Sequence, residues 1–228
     1  MSYPTGMEAA DIPMWIARKV IHQGAEATVT SGSWLGKSAV LKMRNPRGYR
    51  TPHLDRKLTR QRLSVEARVL GRLQYHNLIS PSLIDLDLEQ GWILMSKIEG
   101  ITLFDYLNNK ENLNSNVINS FGKIIRKLHE IGISHGDLTT HNVLIDNDGK
   151  LSLIDFGLAR ILPEVEHLGL DLQVLNECLT ASHSEFENAV NDMIEGYLKA
   201  DSQKNNSIPA EDVISRFNEI RGRVRYHA

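Results

Sequence analysis

The chain has 228 residues, of which 24% are charged and 41% hydrophobic, and its formal net charge is −2. This length can bury the core of one bilobal domain. A single cysteine excludes an intramolecular disulfide, and neither a bilayer-length apolar run nor a secretory signal pattern is present. We therefore expect an intracellular, soluble protein that is cytoplasmic, or also nuclear in a eukaryote. The charge gives no global attraction to nucleic acid, so RNA contact would need a local patch, such as the basic residues 221–228.

The first part of the chain predicts a small antiparallel sheet. Short β-rich runs cover residues 17–23, 28–35 and 38–44, with Gly36-Lys37 as a tight connection. Between the first two runs, Gln-Gly-Ala-Glu-Ala at residues 23–27 stands where a phosphate-covering loop would lie. It contains one glycine instead of three, so an ordinary hairpin turn is the alternative.

Lys42 is the clearest phosphate-binding candidate of this sheet. It ends the run Ala-Val-Leu-Lys, which matches a strand pattern whose lysine contacts the α- and β-phosphates of a nucleotide. A lysine on a half-buried strand needs an anionic partner. The helix predicted over residues 58–73 carries Glu66 on the flank of its apolar face, so we expect Glu66 to pair with Lys42. The basic segment 44–57 between them fits equally a solvated connector and a contact for a partner or RNA.

A strand over residues 92–95 leads into Ser-Lys-Ile-Glu-Gly at 96–100, where the composition becomes polar. We interpret these five residues as a hinge between two lobes. Backbone groups near Ser96 and Ile98 would then bind adenine, and Met95 would line its pocket, although Met95 is equally well explained as core. The rest of the chain predicts mainly helices, over residues 103–107, 117–132, 168–178, 185–198 and 210–220, with a polar linker at 201–207.

The strongest chemical motif lies between the second and the third of these predicted helices. Residues 135–142 read His-Gly-Asp-Leu-Thr-Thr-His-Asn, and Asp155-Phe156-Gly157 follows after two short predicted strands. A hairpin turn at residues 147–150 joins the strands and would bring Asn142 and Asp155 side by side.

Two acids and an amide are thereby placed for chemistry on a magnesium nucleotide. Asp137 matches the acid that orients or accepts the proton of the nucleophile, and Asn142 and Asp155 match the metal ligands. Simple loop-capping roles for the two acids are the alternative. We interpret His135 as a structural hydrogen-bonding group behind this loop in preference to an acid–base catalyst.

These motifs resemble those of a small bilobal protein kinase-like fold of the α+β class. The resemblance implies an N-lobe with an antiparallel sheet and one main helix (1–95), the hinge (96–100), a reduced helical C-lobe (101–220) and a basic C-terminal tail (221–228). Ordinary protein kinases carry an arginine at Gly136, a lysine at Thr139 and an Ala-Pro-Glu sequence after Asp-Phe-Gly, all missing here.

Nearly the whole chain resembles the small atypical kinase/ATPase family of the KEOPS complex, the PRPK family, which is related to RIO-type kinases. The residues that carry this resemblance are spread over both predicted lobes and the tail: Gln23 to Ala27, Tyr49-Arg50, Pro52, Leu54, Asp55, Leu58-Thr59, Arg62, Glu66-Ala67, His135 to Thr140, Asp171-Leu172, Val174-Leu175 and Arg221 to Arg223.

The resemblance implies a Mg²⁺- and ATP-dependent Ser/Thr kinase with ATPase activity. Such a protein docks on a threonylcarbamoyltransferase subunit within the KEOPS complex and supports threonylcarbamoyladenosine formation in tRNA, which it reaches through the complex; no membrane is involved. Asp137 would be the base, Asn142 and Asp155 the metal ligands. Asp171 would anchor the catalytic loop, with helix capping as its alternative. The ATP-binding residues would be Gly24, Glu26, Lys42, Glu66, Met95, Ser96 and Ile98.

Two other functions stay open. A small-molecule kinase of the aminoglycoside or choline type also carries His-Gly-Asp and a metal-binding Asn, but the intact Asp-Phe-Gly and the loop at 24–27 argue against it. A pseudokinase scaffold would bind a partner without turnover, which the joint presence of Lys42, Asp137, Asn142 and Asp155 disfavours.

Overall fold

A computed structural model describes residues 12–109, 116–202 and 207–225. Parts of the predicted regions lie outside these residues: 1–11 of the N-lobe, 110–115 of the C-lobe, 203–206 of its linker and 226–228 of the tail. The chain divides into two compact units. The first contains the described residues up to 71 together with 81–97, and the second contains 72–80 and the described residues from 98 onward.

The first unit is built on a five-stranded antiparallel sheet with the strand order β1-β2-β3-β5-β4. The three strands predicted at the start of the chain and the strand predicted at residue 92 are all present, whereas β4 was not predicted. The strands are β1 (Trp15–Gln23), β2 (Ala27–Trp34), β3 (Lys37–Arg44), β4 (Leu83–Asp87) and β5 (Trp92–Ser96).

The turn between β2 and β3 is one residue earlier than predicted. Trp34 pairs with Lys37, so the two-residue loop is Leu35-Gly36, not Gly36-Lys37. Both loop residues have positive φ angles, 49° and 78°. This backbone matches the right-handed twist of the flanking strands, and glycine in the second position removes part of its steric cost.

One face of the sheet carries a hydrophobic core that alternate residues of the strands supply. Helix α1 (Pro52–Tyr75) begins six residues before the predicted start, with a proline in its first turn, where the missing N–H costs nothing. Its buried leucines and valine lie at the helical spacing that the sequence predicts. The sheet cluster contains Ile12, Trp15, Ala39, Leu41, Trp92 and Leu94, and the helix buries Leu63, Val69, Leu70 and Leu73.

The second unit is mainly helical, as predicted. Its helices are α2 (Leu103–Asn108), α3 (Asn116–Glu130), α4 (Val165–Ser182), α5 (Ala189–Lys199) and α6 (Ala210–Arg225). Helix α5 starts four residues later than predicted, and α6 continues five residues past the predicted end at 220, so residues 221–225 of the basic tail are helical.

Short strands complete the second unit and frame the catalytic motif. β6 (Ile101–Thr102), β8 (Val143–Ile145) and β9 (Leu151–Leu153) form one sheet with the order β6-β8-β9. β7 (Ile133–Ser134) pairs with β10 (Arg160–Ile161). The predicted hairpin between residues 142 and 154 is therefore present, and the motif residues 135–142 run from the end of β7 to the start of β8.

Within the described ranges, we find no helix whose length and apolar character would allow it to cross a membrane.

Candidate active site

Asp137 and Asn142 are joined by two hydrogen bonds within the loop between β7 and β8. A single 3₁₀ turn (Thr140–Asn142) closes the loop. The side-chain nitrogen of Asn142 donates to the main-chain oxygen of Asp137 at 2.8 Å and to its carboxylate at 2.9 Å. Because the amide nitrogen serves Asp137, the amide oxygen of Asn142 points the other way, as a metal ligand requires.

The hairpin brings Ile154, the residue before Asp155, into contact with Asn142. Val143 pairs with Leu153, and the Ile154 amide donates to the Asn142 carbonyl at 3.0 Å. Asp155 is the next residue, and it adopts a left-handed conformation with φ +61°. Non-glycine residues in this region carry strain and concentrate at functional sites.

The donor chemistry of this loop fits Mg²⁺. Asn142 supplies an amide oxygen and Asp155 a carboxylate, and Asp137 places a second carboxylate beside the Asn142 amide. Mg²⁺ prefers oxygen ligands and is usually held by one or two carboxylates together with substrate phosphates. The fold brings Asp137 into contact with Asn142, and it places Asp155 directly after Ile154, whose amide binds the Asn142 carbonyl.

Asp171 anchors the backbone of the loop. Its carboxylate, which is buried in α4, accepts hydrogen bonds from the main-chain amides of His135 at 2.5 Å and Gly136 at 2.8 Å. His129 lies 3.2 Å from the same carboxylate. Asp171 is the seventh residue of α4, so it does not cap that helix. Of the two roles open at the sequence level, the geometry favours anchoring.

His135 is buried behind the loop and carries both ring nitrogens in hydrogen bonds. Nε2 donates to the Ile154 carbonyl at 3.1 Å, and Nδ1 accepts from the Asp137 amide at 3.3 Å. Burial lowers the pKa of His135 despite the opposing effect of Asp171. A ring whose two nitrogens are both engaged in this way favours the structural role that the sequence predicted over acid–base catalysis.

Lys42 and Glu66 form the ion pair that the sequence predicted in the first unit. Lys42 Nζ lies 2.8 Å from Glu66 Oε1, and both side chains are almost fully buried. Arg44, two residues further along β3, contacts the other oxygen of Glu66 at 3.2 Å. Residues two positions apart on a strand lie on the same face, so Lys42 and Arg44 both reach the Glu66 carboxylate.

Glu26 contacts arginines. Its carboxylate lies 2.5 Å from Arg62, 3.2 Å from Arg47 and 3.7 Å from Arg44. Partial burial by itself would raise the pKa of Glu26, but Arg62, Arg47 and Arg44 together outweigh it and lower that pKa. The resemblance implied that Glu26 is an ATP-binding residue and did not identify these arginine partners. Arg62 lies one helical turn before Glu66, a spacing that could have indicated it.

The loop that contains Gly24 is held to the end of β3. The Gly24 amide donates to the Ala27 carbonyl at 3.0 Å, and the Asn45 amide donates to the Glu26 carbonyl at 3.0 Å. The Asn45 side chain donates to the Gly24 carbonyl at 3.1 Å. A Cβ at Gly24 would lie 2.8 Å from a ring nitrogen of His22. Gly24 therefore lies in a constrained turn.

Of the residues predicted to contact adenine near the hinge, Ser96 already forms hydrogen bonds within the sheet. The Ser96 amide donates to the Ser82 carbonyl at 2.8 Å, and the Ser96 hydroxyl accepts from the Ser82 amide at 2.8 Å. The amide and hydroxyl of Ser96 are thus engaged within the sheet, and a backbone contact of Ser96 or Ile98 to adenine stays a prediction. Met95 is buried on β5, where both its interpretations stay open.

Comparison with known proteins identifies the family. The model described as protein kinase domain matches residues 17–182. KEOPS complex subunit Bud32 of Pyrococcus abyssi is 34% identical over 217 residues, which cover 91% of this chain and 96% of that protein. The chain belongs to the Bud32 family of protein kinase-like proteins. This confirms the family and the α+β kinase-like fold that the motifs predicted.

Longer relatives of the Bud32 family match over the same region. Probable bifunctional tRNA threonylcarbamoyladenosine biosynthesis proteins of Methanobrevibacter smithii and Methanothermobacter thermautotrophicus are 37% and 34% identical. Each match covers 91% of this chain, which spans only 36% of those relatives. Among solved structures, a Rio2 kinase complex with ADP, Mg²⁺ and phosphoaspartate from Chaetomium thermophilum has a TM-score of 0.62. It covers 94% of this chain and 74% of its own at 16% identity, and supports the fold.

Proposed function

We propose that this chain is a Mg²⁺- and ATP-dependent atypical Ser/Thr kinase with ATPase activity, and that it serves threonylcarbamoyladenosine formation in tRNA as a subunit of a KEOPS complex. The observation that carries the catalytic part is the hydrogen-bonded pair Asp137–Asn142 followed across a hairpin by Asp155. The buried Lys42–Glu66 pair supports the same reading. The name of the Pyrococcus abyssi relative supports the complex.

Each residue has a specific role in the proposed reaction. Asn142 and Asp155 would hold Mg²⁺, which neutralises charge on the phosphates when it is bound. Asp137 would accept or orient the proton of the attacking hydroxyl or water, and Asn142 fixes its carboxylate. Lys42 would contact the α- and β-phosphates, with Glu66 holding the ammonium in place.

The remaining ATP-site residues would contact the other parts of the nucleotide. Gly24 would allow the phosphate loop to approach closely, because it lacks a Cβ. Met95 would line the adenine pocket, and the Ile98 backbone would bind the base. Rio2 kinase, which shares the fold, was solved with ADP and Mg²⁺, and this supports the same two ligands here.

The longer relatives support a partner that carries the second activity. Their names describe bifunctional proteins of threonylcarbamoyladenosine biosynthesis, and this chain matches about a third of their length. We propose that the present chain docks on a threonylcarbamoyltransferase subunit and on other KEOPS subunits, and reaches tRNA through them. Such tRNA chemistry is expected in the cytoplasm.

The deciding experiment measures Mg²⁺-ATP turnover by the full chain with and without a cognate threonylcarbamoyltransferase subunit. Free phosphate and phosphoprotein are quantified separately, with Asp137→Ala and Asp155→Ala as variants. We expect the partner to stimulate phosphate release, and both variants to abolish it while circular dichroism shows an unchanged fold. Turnover that is indifferent to the partner would indicate an independent kinase, and binding without turnover would indicate a scaffold. Unchanged turnover in Asp155→Ala would refute the metal-ligand assignment.

A further inference from the structure

Charges of alternating sign link the predicted phosphate loop to the helix that carries Glu66. Glu66 contacts Lys42 and Arg44, and Arg44 also contacts Glu26 at 3.7 Å. Glu26 in turn contacts Arg62 at 2.5 Å. The series therefore runs from Lys42 through Glu66, Arg44 and Glu26 to Arg62. Its members Arg62 and Glu66 are four residues apart in α1, so they lie on the same face of that helix. We call this series the charge chain.

The charge chain is mostly shielded from solvent. The side chains of Lys42, Arg44 and Glu66 are 5%, 7% and 2% exposed, and Arg62 is 24% exposed. Ion pairs at low exposure are screened less by salt than surface pairs, and unpaired charges there are costly. Glu26 is the more exposed member, yet it is the acid that three arginines share.

We infer that Glu26 is a positioning residue: through Arg62 and Arg44 it holds the β1–β2 loop on α1 and keeps Glu66 on Lys42. This inference rests on the proposed ATP-dependent function. The loop has one glycine in residues 23–27, and hydrogen bonds already tie it to Asn45. A loop restrained in this way is held in one geometry before ATP arrives, which spares part of the ordering cost when the phosphates bind.

Loss of the Glu26 charge has a predictable consequence for the neighbouring cations. Arg44, Arg47 and Arg62 would then face each other with no shared acid between them. The carboxylate that Arg44 still contacts is Glu66, so Arg44 would compete more strongly with Lys42 for it. Both the loop and the Lys42 ammonium would lose their fixed positions.

The test compares Glu26→Gln, Arg62→Gln and the double variant in the full chain. Glu89→Gln is the matched control, because Glu89 pairs with Arg60 of the same helix, on the exposed surface and outside the charge chain. One readout is amide hydrogen exchange in the nucleotide-free protein at Gly24 and Asn45, whose amides donate to loop carbonyls. The other is kcat and KM for ATP in the presence of Mg²⁺.

We expect faster exchange at both amides in either single variant, and roughly a tenfold loss of kcat/KM for ATP. The double variant should lose no more than Glu26→Gln alone, because the change at Glu26 already breaks the contact with Arg62. The control should match the unaltered chain in both readouts.

Three results would overturn the inference. Unchanged exchange in Glu26→Gln would mean that Glu26 does not hold the loop. A loss of turnover in Glu26→Gln but not in Arg62→Gln would mean that Glu26 acts on the nucleotide directly. Additive losses in the double variant would mean that Glu26 and Arg62 act independently. If the unaltered chain has no turnover at all, the proposed function fails, and the exchange readout still decides the role of Glu26.

Discussion

At the scale of single residues, the buried carboxylate of Asp171 contacts several groups in and beside the catalytic loop. It accepts two main-chain amides, from His135 and Gly136, and lies beside His129. Gly136 has φ +79°, and a Cβ there would lie 2.2 Å from the Leu158 carbonyl. The glycine that stands in place of the usual kinase arginine is therefore required by the backbone and by close packing.

Asp171→Ala should lower the free energy of unfolding by about 3 kcal/mol, because the main-chain amides of His135 and Gly136 lose a buried, charged acceptor. Urea unfolding measures this difference. Asp148→Asn, in the exposed β8–β9 turn, is the control and should change stability by less than about 0.5 kcal/mol. An Asp171→Ala protein as stable as the unaltered chain would contradict the anchoring role.

Glu26 predicts a pH dependence whose sign follows from its arginine partners. They lower its pKa in the folded protein below 4.5, the ordinary value of a glutamate side chain. The carboxylate therefore contributes stability above the unfolded pKa, and that contribution disappears as the pH falls through the lowered folded value. In unfolding titrations between pH 7 and about pH 3, the stability advantage over Glu26→Gln should shrink with acid. An advantage that is constant with pH would rule out these partners in solution.

At the scale of secondary-structure elements, two glycines allow α3 and α5 to approach closely. A Cβ at Gly122 in α3 would lie 2.1 Å from the Met193 carbonyl, and one at Gly196 in α5 would lie 1.9 Å from the Asn119 carbonyl. Neither glycine could be interpreted from the sequence, since a mid-helix glycine there predicts only a weaker helix. Each glycine is needed only because the backbone of the other helix lies against it.

Gly122→Ala should destabilise the protein by about 3 kcal/mol, because backbone atoms cannot yield to the new methyl group as a flexible side chain would. Gly71→Ala is a matched control in α1, where a Cβ would meet no atom within 4 Å. It should stabilise the protein by up to about 1 kcal/mol through helix propensity. Thermal unfolding of both variants tests the contrast, and equal effects would refute the close helix crossing.

At the scale of the whole molecule, the proposed catalytic residues are distributed between the two compact units. Lys42 and Glu66 belong to the first, and Asp137, Asn142 and Asp155 belong to the second. The basic residues that start the predicted tail continue α6 instead of leaving it, so Arg221 and Arg223 stand on a helix. Point substitutions at these two arginines can therefore remove their charges while α6 keeps its length.

Arg221→Gln together with Arg223→Gln should reduce tRNA modification by the assembled complex more than it reduces Mg²⁺-ATP affinity, if the tail contacts RNA. The physical reason is that each lost phosphate contact removes counterion release, so the salt dependence of tRNA binding should weaken as well. The comparison is between the rate of tRNA modification and the affinity for Mg²⁺-ATP, both measured on the same protein preparations. Equal losses of both quantities would count against an RNA role.

The sequence by itself predicted the fold class and the catalytic motif, because these depend on residue types at short, characteristic spacings. The family was predicted from the resemblance that these motifs carry. The Lys42–Glu66 pair was predicted from a strand pattern and from the apolar face of a helix, and the structure contains it. The sequence also predicted that residues 142 and 155 meet, since a hairpin joins them. It missed β4, in which Leu-Ile-Asp-Leu-Asp at residues 83–87 becomes a strand by pairing with β5.

Only the tertiary structure identified the arginines that Glu26 contacts and the main-chain amides that Asp171 accepts. Glu26 meets Arg62 from 36 residues away, and Asp171 meets the His135 amide from 36 residues away. Contacts over such separations leave no periodic signal in the sequence, because they are set by how strands and helices pack. The same reason explains the glycines of α3 and α5, whose role exists only where two backbones touch.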